Sequence, residues 1–294
     1  DVFAIRFIID CEPEHAVEEA LSNRSRNHFK SIDSAPVTGK KRIVTTGGHY
    51  AYLKIAEGCD KHCTYCIIPK VRGKYRSVSM DSLLVEARQL AEGGVKELIL
   101  VAQETTLYGV DLYGQKSLPR LLHELSKIPG INWIRILYCY PEEITDDLIE
   151  AIASEPKVCH YLDIPIQHAS DNVLRRMGRH TSQSDLKEII AKLREKIPDI
   201  CLRTTLISGF PGESEEDFEE LYRFVNEMEF DRLGVFPYSQ EEDTPAAGMQ
   251  DQIPEETKNF RRDELMELQQ AIAFDKAEEM IGRELVVMIE GKVA

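Results

Sequence analysis

From Tyr50 onward, short apolar runs alternate with longer segments whose apolar positions recur at helical spacing. Short apolar runs suit strands buried on both faces, and the amphipathic segments suit the helices that cover them. The pattern predicts strands over 51–55, 97–102, 133–138, 161–166, 202–207 and 232–238. It predicts helices over 80–92, 118–127, 145–154, 184–196 and 214–228, then a long helix over 255–280 after a polar, proline-containing segment. Ser214 ahead of Glu215-Glu216-Asp217 supplies a capping hydroxyl and then acidic side chains where the helix dipole favours them. Repeated βα units imply an α/β fold with a parallel sheet and right-handed crossovers, either an open sheet or a barrel that is not fully closed. In both architectures sites gather at the carboxyl ends of the strands.

The two flanks break this rhythm. Residues 1–45 offer an apolar start, a helix-like stretch over 14–21 and a polar connector, which reads as the tail of an upstream domain and a linker. Residues 282–291 alternate like a strand, so 281–294 reads as the start of a further domain.

Composition bounds the function. With 43% hydrophobic residues the chain can bury a core. It has neither a long apolar run for a membrane span nor a signal-peptide pattern, so a cytoplasmic protein with no membrane partner is expected. The net charge of −15 argues against a chain-wide nucleic-acid footprint. Seven cysteines, an odd number, agree with a reducing compartment better than with a disulfide framework.

Three of the seven lie together, in Glu57-Gly58-Cys59-Asp60-Lys61-His62-Cys63-Thr64-Tyr65-Cys66. This Cys-x-x-x-Cys-x-x-Cys spacing lets one loop wrap three thiolates around a soft metal centre, iron–sulfur or zinc. A structural zinc site wants four ligands, and His62 is the available fourth. A cubane held by three cysteines keeps one iron open. Cys139, Cys159 and Cys201 fall near strand boundaries and read as small buried hydrophobes.

The cysteine loop, placed after the first strand and carrying Tyr65 before its last cysteine, resembles that of the radical S-adenosylmethionine superfamily. The resemblance implies a partial (open) TIM-type (β/α)6 barrel over 46–280. It also implies a 4Fe–4S cluster on Cys59, Cys63 and Cys66, whose open iron binds S-adenosylmethionine and whose reduction yields a 5′-deoxyadenosyl radical. Tyr65 would pack beside the adenine. The other strand ends add Gln103-Glu104-Thr105-Thr106 with Tyr108 beyond, Asp163 to Ser170, and Arg203 to Glu213. Candidate cofactor-binding residues are therefore Tyr65, Gln103, Glu104, Arg203, Ile207, Gly209, Glu213 and Tyr238. Arg203 offers paired donors to a carboxylate, or an internal salt bridge, and Glu213 could orient a ribose or start the following helix. Tyr108, Gln167 and His168 are candidate substrate contacts.

Within that superfamily Tyr52 to Cys59, the Gln-Glu-Thr-Thr stretch and Ile166-Gln167-His168-Ala169-Ser170-Asp171 resemble the methylthiotransferase branch. They are nearer to its protein-modifying version than to its transfer-RNA version. That implies methylthiolation of an aspartate β-carbon of ribosomal protein S-twelve, with electrons from flavodoxin or ferredoxin. The branch also carries a second 4Fe–4S cluster on three upstream cysteines and a C-terminal TRAM β-barrel. Only Cys11 precedes Cys59 here, so the second cluster is expected only in a longer protein. The alternatives are the same chemistry on N6-isopentenyladenosine or threonylcarbamoyladenosine of transfer RNA, or a structural zinc or nucleic-acid-binding module.

Overall fold

The computed structural model describes residues 32–34 and 44–289. Six parallel strands form one sheet in chain order: β1 (Tyr50–Lys54), β2 (Glu97–Val101), β3 (Trp133–Ile136), β4 (Val158–Asp163), β5 (Cys201–Ser208) and β6 (Arg232–Pro237). Each strand pairs with the next, and β1 does not pair with β6, so the arrangement is an open (β/α)6 barrel. Covering helices are α1 (Met80–Glu92), α2 (Leu118–Ser126), α3 (Asp146–Ser154), α4 (Gln183–Lys196), α5 (Glu215–Met228) and α6 (Glu255–Glu279). No helix among the described residues is long and apolar enough to cross a membrane.

The period-two logic of a strand is plainest in β5. Leu202, Thr204, Leu206 and Ser208 are buried, and the Ser208 hydroxyl donates to the Lys258 carbonyl of α6 at 3.0 Å. The alternate residues Thr205 and Ile207 point the other way, into the mouth of the barrel. Helix α6 lays one stripe, Lys258, Arg261, Leu265, Gln269 and Ile272, against the sheet and α5. Two of its polar members bond in place: Gln269 donates through Nε2 to the Phe230 carbonyl at 2.8 Å, its Oε1 having no partner, and Arg261 donates to Glu213 at 2.7 Å.

One departure from the expected elements stands out. The strand expected over 282–291 does not form over 282–289, where the chain is irregular and Leu285, Val286 and Ile289 are exposed. A strand needs a neighbour for its amides, and the described residues offer none there. Residues 290–291 of that stretch, and the expected helix over 14–21, lie outside the described residues.

Helices α4 and α5 each begin with a capping box. Ser182 and Ser214 accept from the backbone three residues on, and Asp185 and Asp217 reach back to the capping residue's own N–H. Replacing Ser182 or Ser214 by Ala should each cost about 1 kcal/mol, read as a shift in urea midpoint at constant slope.

Candidate functional site

The cysteine loop leaves the carboxyl end of β1 and is built backbone against backbone. Gly58 has φ of 80°, and a Cβ there would lie 2.1 Å from the Lys74 carbonyl, so only glycine fits. Its N–H donates to Gln103 Oε1 at 2.7 Å, which ties the loop to the end of β2. Further along, Cys59 N–H donates to the Gly73 carbonyl at 3.2 Å and Cys66 N–H to the Cys63 carbonyl at 3.1 Å. Thr64 fastens the middle. Its N–H donates to Met177 O at 2.9 Å, its hydroxyl to Arg176 O at 2.8 Å, and its carbonyl accepts from Ala246 N–H at 2.9 Å.

So held, Cys59, Cys63 and Cys66 all line one cavity of about 590 Å³ at the carboxyl ends of the strands. A second cavity of about 380 Å³ adjoins it and shares Tyr65, Cys66, Gln167 and Thr205. Burial pushes the Cys59 thiol up to about 11 and also raises Cys66, so each ionises readily only where a strong positive partner takes the thiolate and its proton passes to solvent. Lys54, Lys61 and Arg179 are the charged side chains on the lining of the larger cavity, which holds no carboxylate. A thiolate-held cluster is anionic and this lining suits it. No three His, Cys, Asp or Glu among the described residues gather closely enough for a single ion, and His62 is exposed and off the lining. The donor set therefore fits a cluster, whose ligands stand farther apart, better than a mononuclear zinc site.

The expected site residues divide. Tyr65, Gln103 and Gln167 reach the larger cavity, and Tyr65, Gln167, Ile207 and Tyr238 reach the smaller. Phe210 stacks edge-on with both Tyr65 and Tyr238 behind the smaller cavity, giving an aromatic wall. Gln167 has φ of 70°, while its backbone still bridges to β5 through Thr205 and Ile207.

The remaining candidates line neither cavity. Arg203 pairs with the buried Asp163 at 3.1 Å. Glu213 is fully engaged: it accepts from the N–H groups of Gly209 and Phe210 at 2.8 and 3.2 Å and from Arg261. Gly209 is glycine because a Cβ would meet Lys258 Cγ at 2.3 Å, so the close approach is to α6 and not to a ligand. Tyr108 is fully buried and donates to Val78 O at 2.9 Å. His168 is fully buried as well, with Nδ1 accepting from Ser170 N–H at 2.9 Å. Neither lines either cavity, because the turns after β2 and β4 carry both inward. Cys139 is buried as expected, whereas Cys159 and Cys201 are only partly so.

Residue-level reading missed the Tyr138, Tyr140 and Arg179 contributions to the cavity. Tyr140 touches Cys63, and Arg179 lies over the Tyr140 ring at 3.8 Å. The available signal was an aromatic pair, Tyr138-Cys139-Tyr140, directly after a strand end.

Residues 53–225, more than half of the chain, match the family model for the radical SAM superfamily. The chain belongs to the radical SAM superfamily. It is 63% identical over 277 residues to the ribosomal protein uS12 methylthiotransferase RimO of Lachnoclostridium phytofermentans, covering 94% of this chain and 63% of that one. A Clostridium kluyveri protein of the same name is 58% identical, covering 86% and 56%. The chain thus spans less than two thirds of these relatives. Among solved structures it is similar to the radical SAM enzyme coproporphyrinogen III oxidase of Escherichia coli, with a TM-score of 0.54 at 21% identity, over 80% of this chain and 55% of that one. That likeness speaks for the radical SAM barrel alone.

Glu104 lies beside the radical SAM loop without lining it. One oxygen accepts from the Thr106 N–H at 2.9 Å and from its hydroxyl, and the other has no partner. Burial raises its pKa from the ordinary 4.5 to about 7. The folded metal-free chain therefore binds more protons than the unfolded chain across that window. The stability Glu104 contributes is full below about pH 4.5 and is lost as pH rises through about 7. Glu104→Gln should flatten that decline, measured as the difference between the two urea-unfolding profiles of metal-free protein across pH.

Proposed function

We propose that this chain is the radical-generating core of a methylthiotransferase that modifies an aspartate β-carbon of ribosomal protein uS12. Cys59, Cys63 and Cys66 are read as the ligands of a 4Fe–4S cluster, and the two joined cavities as the seat of S-adenosylmethionine. The observation that carries this reading is the opening of all three thiols into one carboxylate-free cavity at the barrel's carboxyl rim. The names of the long relatives support the choice of acceptor. Residues 46–280 are read as the core, with 1–45 and 281–294 as parts of flanking domains.

When bound, such a cluster supplies an open iron and a low-potential electron for splitting S-adenosylmethionine into methionine and a 5′-deoxyadenosyl radical. The chain's part is to hold, orient and keep dry. Gly58, Gln103 and Thr64 fix the loop that presents the thiols. Tyr65, Phe210 and Tyr238 form an apolar wall suited to an adenine face, with Gln167 at the junction of the cavities. No side chain is needed as a general base, since hydrogen leaves the acceptor as an atom and the protein's leverage is positioning. Methylthiolation itself is assigned to a longer protein that carries a second cluster, and reductive cleavage to this chain. The expected setting is the cytoplasm, with a small reduced carrier such as flavodoxin or ferredoxin.

Anaerobic reconstitution, iron and sulfide analysis, and dithionite reduction with S-adenosylmethionine test the reading. The expected product is 5′-deoxyadenosine; a fully loaded cluster that makes none would sink the assignment. Cys63→Ala should lose both the cluster absorbance and the product. With the full-length protein, a methylthio mass increase on uS12 is expected, and modification of transfer RNA instead would move the chain to the other branch.

A further inference from the structure

The Tyr140 hydroxyl lies 2.7 Å from Cys63 Sγ. Its position is fixed by the segment after β3: Tyr138 N–H donates to Asp163 Oδ2 at 3.1 Å and Cys139 N–H to the Asp163 carbonyl at 2.8 Å. Just downstream, Pro141–Glu143 forms a single 3₁₀ turn. Two cations bracket the ring. The Arg179 guanidinium is 3.8 Å from its centroid and Lys61 Nζ is 4.8 Å away. Both cations are themselves held, Arg179 by the Pro165 carbonyl at 3.2 Å and Lys61 by Glu143 of the 3₁₀ turn.

In the free thiol either atom can donate. A ligating Cys63 has no proton, so the phenol hydrogen is then the only one between the two atoms. Cations over an aromatic face withdraw density from the ring and make its hydroxyl a stronger donor. A hydrogen bond to a cluster's sulfur stabilises the negative charge added on reduction, which raises the reduction potential.

We propose that Tyr140 is a positioning residue that donates a hydrogen bond to the Cys63 thiolate and, polarised by Arg179 and Lys61, raises the potential at which the cluster accepts its electron. This rests on the reading of Cys63 as a cluster ligand. It goes beyond that reading by assigning the tuning to one hydroxyl outside the cysteine loop.

The test is an EPR-monitored redox titration of anaerobically reconstituted Tyr140→Phe beside the parent, each with iron and sulfide analysed. The expected result is a cluster of unchanged content whose midpoint lies at a more negative potential. An equal midpoint at equal content overturns the proposal while leaving the ligand assignment standing. Failure of the parent to load a cluster overturns both. Should Tyr140→Phe itself not load, 2,3-difluorotyrosine placed at position 140 through a reassigned codon decides. It is a stronger donor of nearly the same shape, so the midpoint should move to a less negative value, and no movement overturns the proposal.

Discussion

The site depends on a steric constraint at one glycine. Three thiols can face one cavity only if the loop carrying them folds back against the chain at Gly73 and Lys74, and that approach leaves no room for a Cβ at residue 58. The bond from Gly58 to Gln103 then converts a close contact into a fixed one, because Gln103 sits at the end of a fully paired strand. Thr64 adds anchors to two more segments that are distant in sequence. The loop is therefore positioned by directional hydrogen bonds to the barrel, with Tyr65 its apolar anchor against Phe210. That suits a segment whose side chains are needed for ligation.

The barrel was legible because each strand carries a short apolar run with a buried face, and all six expected strands form, five with end shifts of one or two residues and β4 three residues earlier than expected. The start of α5 was legible from Ser214 for an equally local reason, whereas the Ser182 cap of α4 emerged only in the structure. What failed was anything requiring a partner. The alternation over 282–289 has no strand beside it. Tyr108 and His168 occupy rim turns, yet both turn inward to satisfy Val78 O and Ser170 N–H, a choice fixed by tertiary geometry and not by spacing. Glu213 shows the same limit: its carboxylate serves the turn at Gly209 and Phe210 and the guanidinium of Arg261, which comes from a helix some fifty residues away.

Charge gives the clearest contrast between chain and site. The sequence as a whole carries −15, and its acidic side chains are spread through the helices. The larger cavity excludes them and collects Lys54, Lys61 and Arg179. Their carboxylate partners, Glu57 for Lys54, Glu143 for Lys61 and Glu142 at 3.9 Å for Arg179, stand off the lining. A net charge summed over a chain thus says little about a cavity whose walls come from several strand ends.

The placing of cations on the lining, with their carboxylates set back, bears on how buried thiols become ligands. Removal from water raises the cost of ionising Cys59 and Cys66, so these two thiols resist ionising without a metal. Iron binding must displace those protons, and fixed positive charges nearby lower the cost of the thiolates and sulfides that replace them. Arg179 is the best placed of the three, being nearly inaccessible, stacked on the ring that touches Cys63 and anchored by a backbone carbonyl. A guanidinium so held cannot swing away when the charge beneath it changes. The cavity can therefore take up anionic charge with little rearrangement, which is the form of preorganisation most useful around a centre that gains and loses an electron.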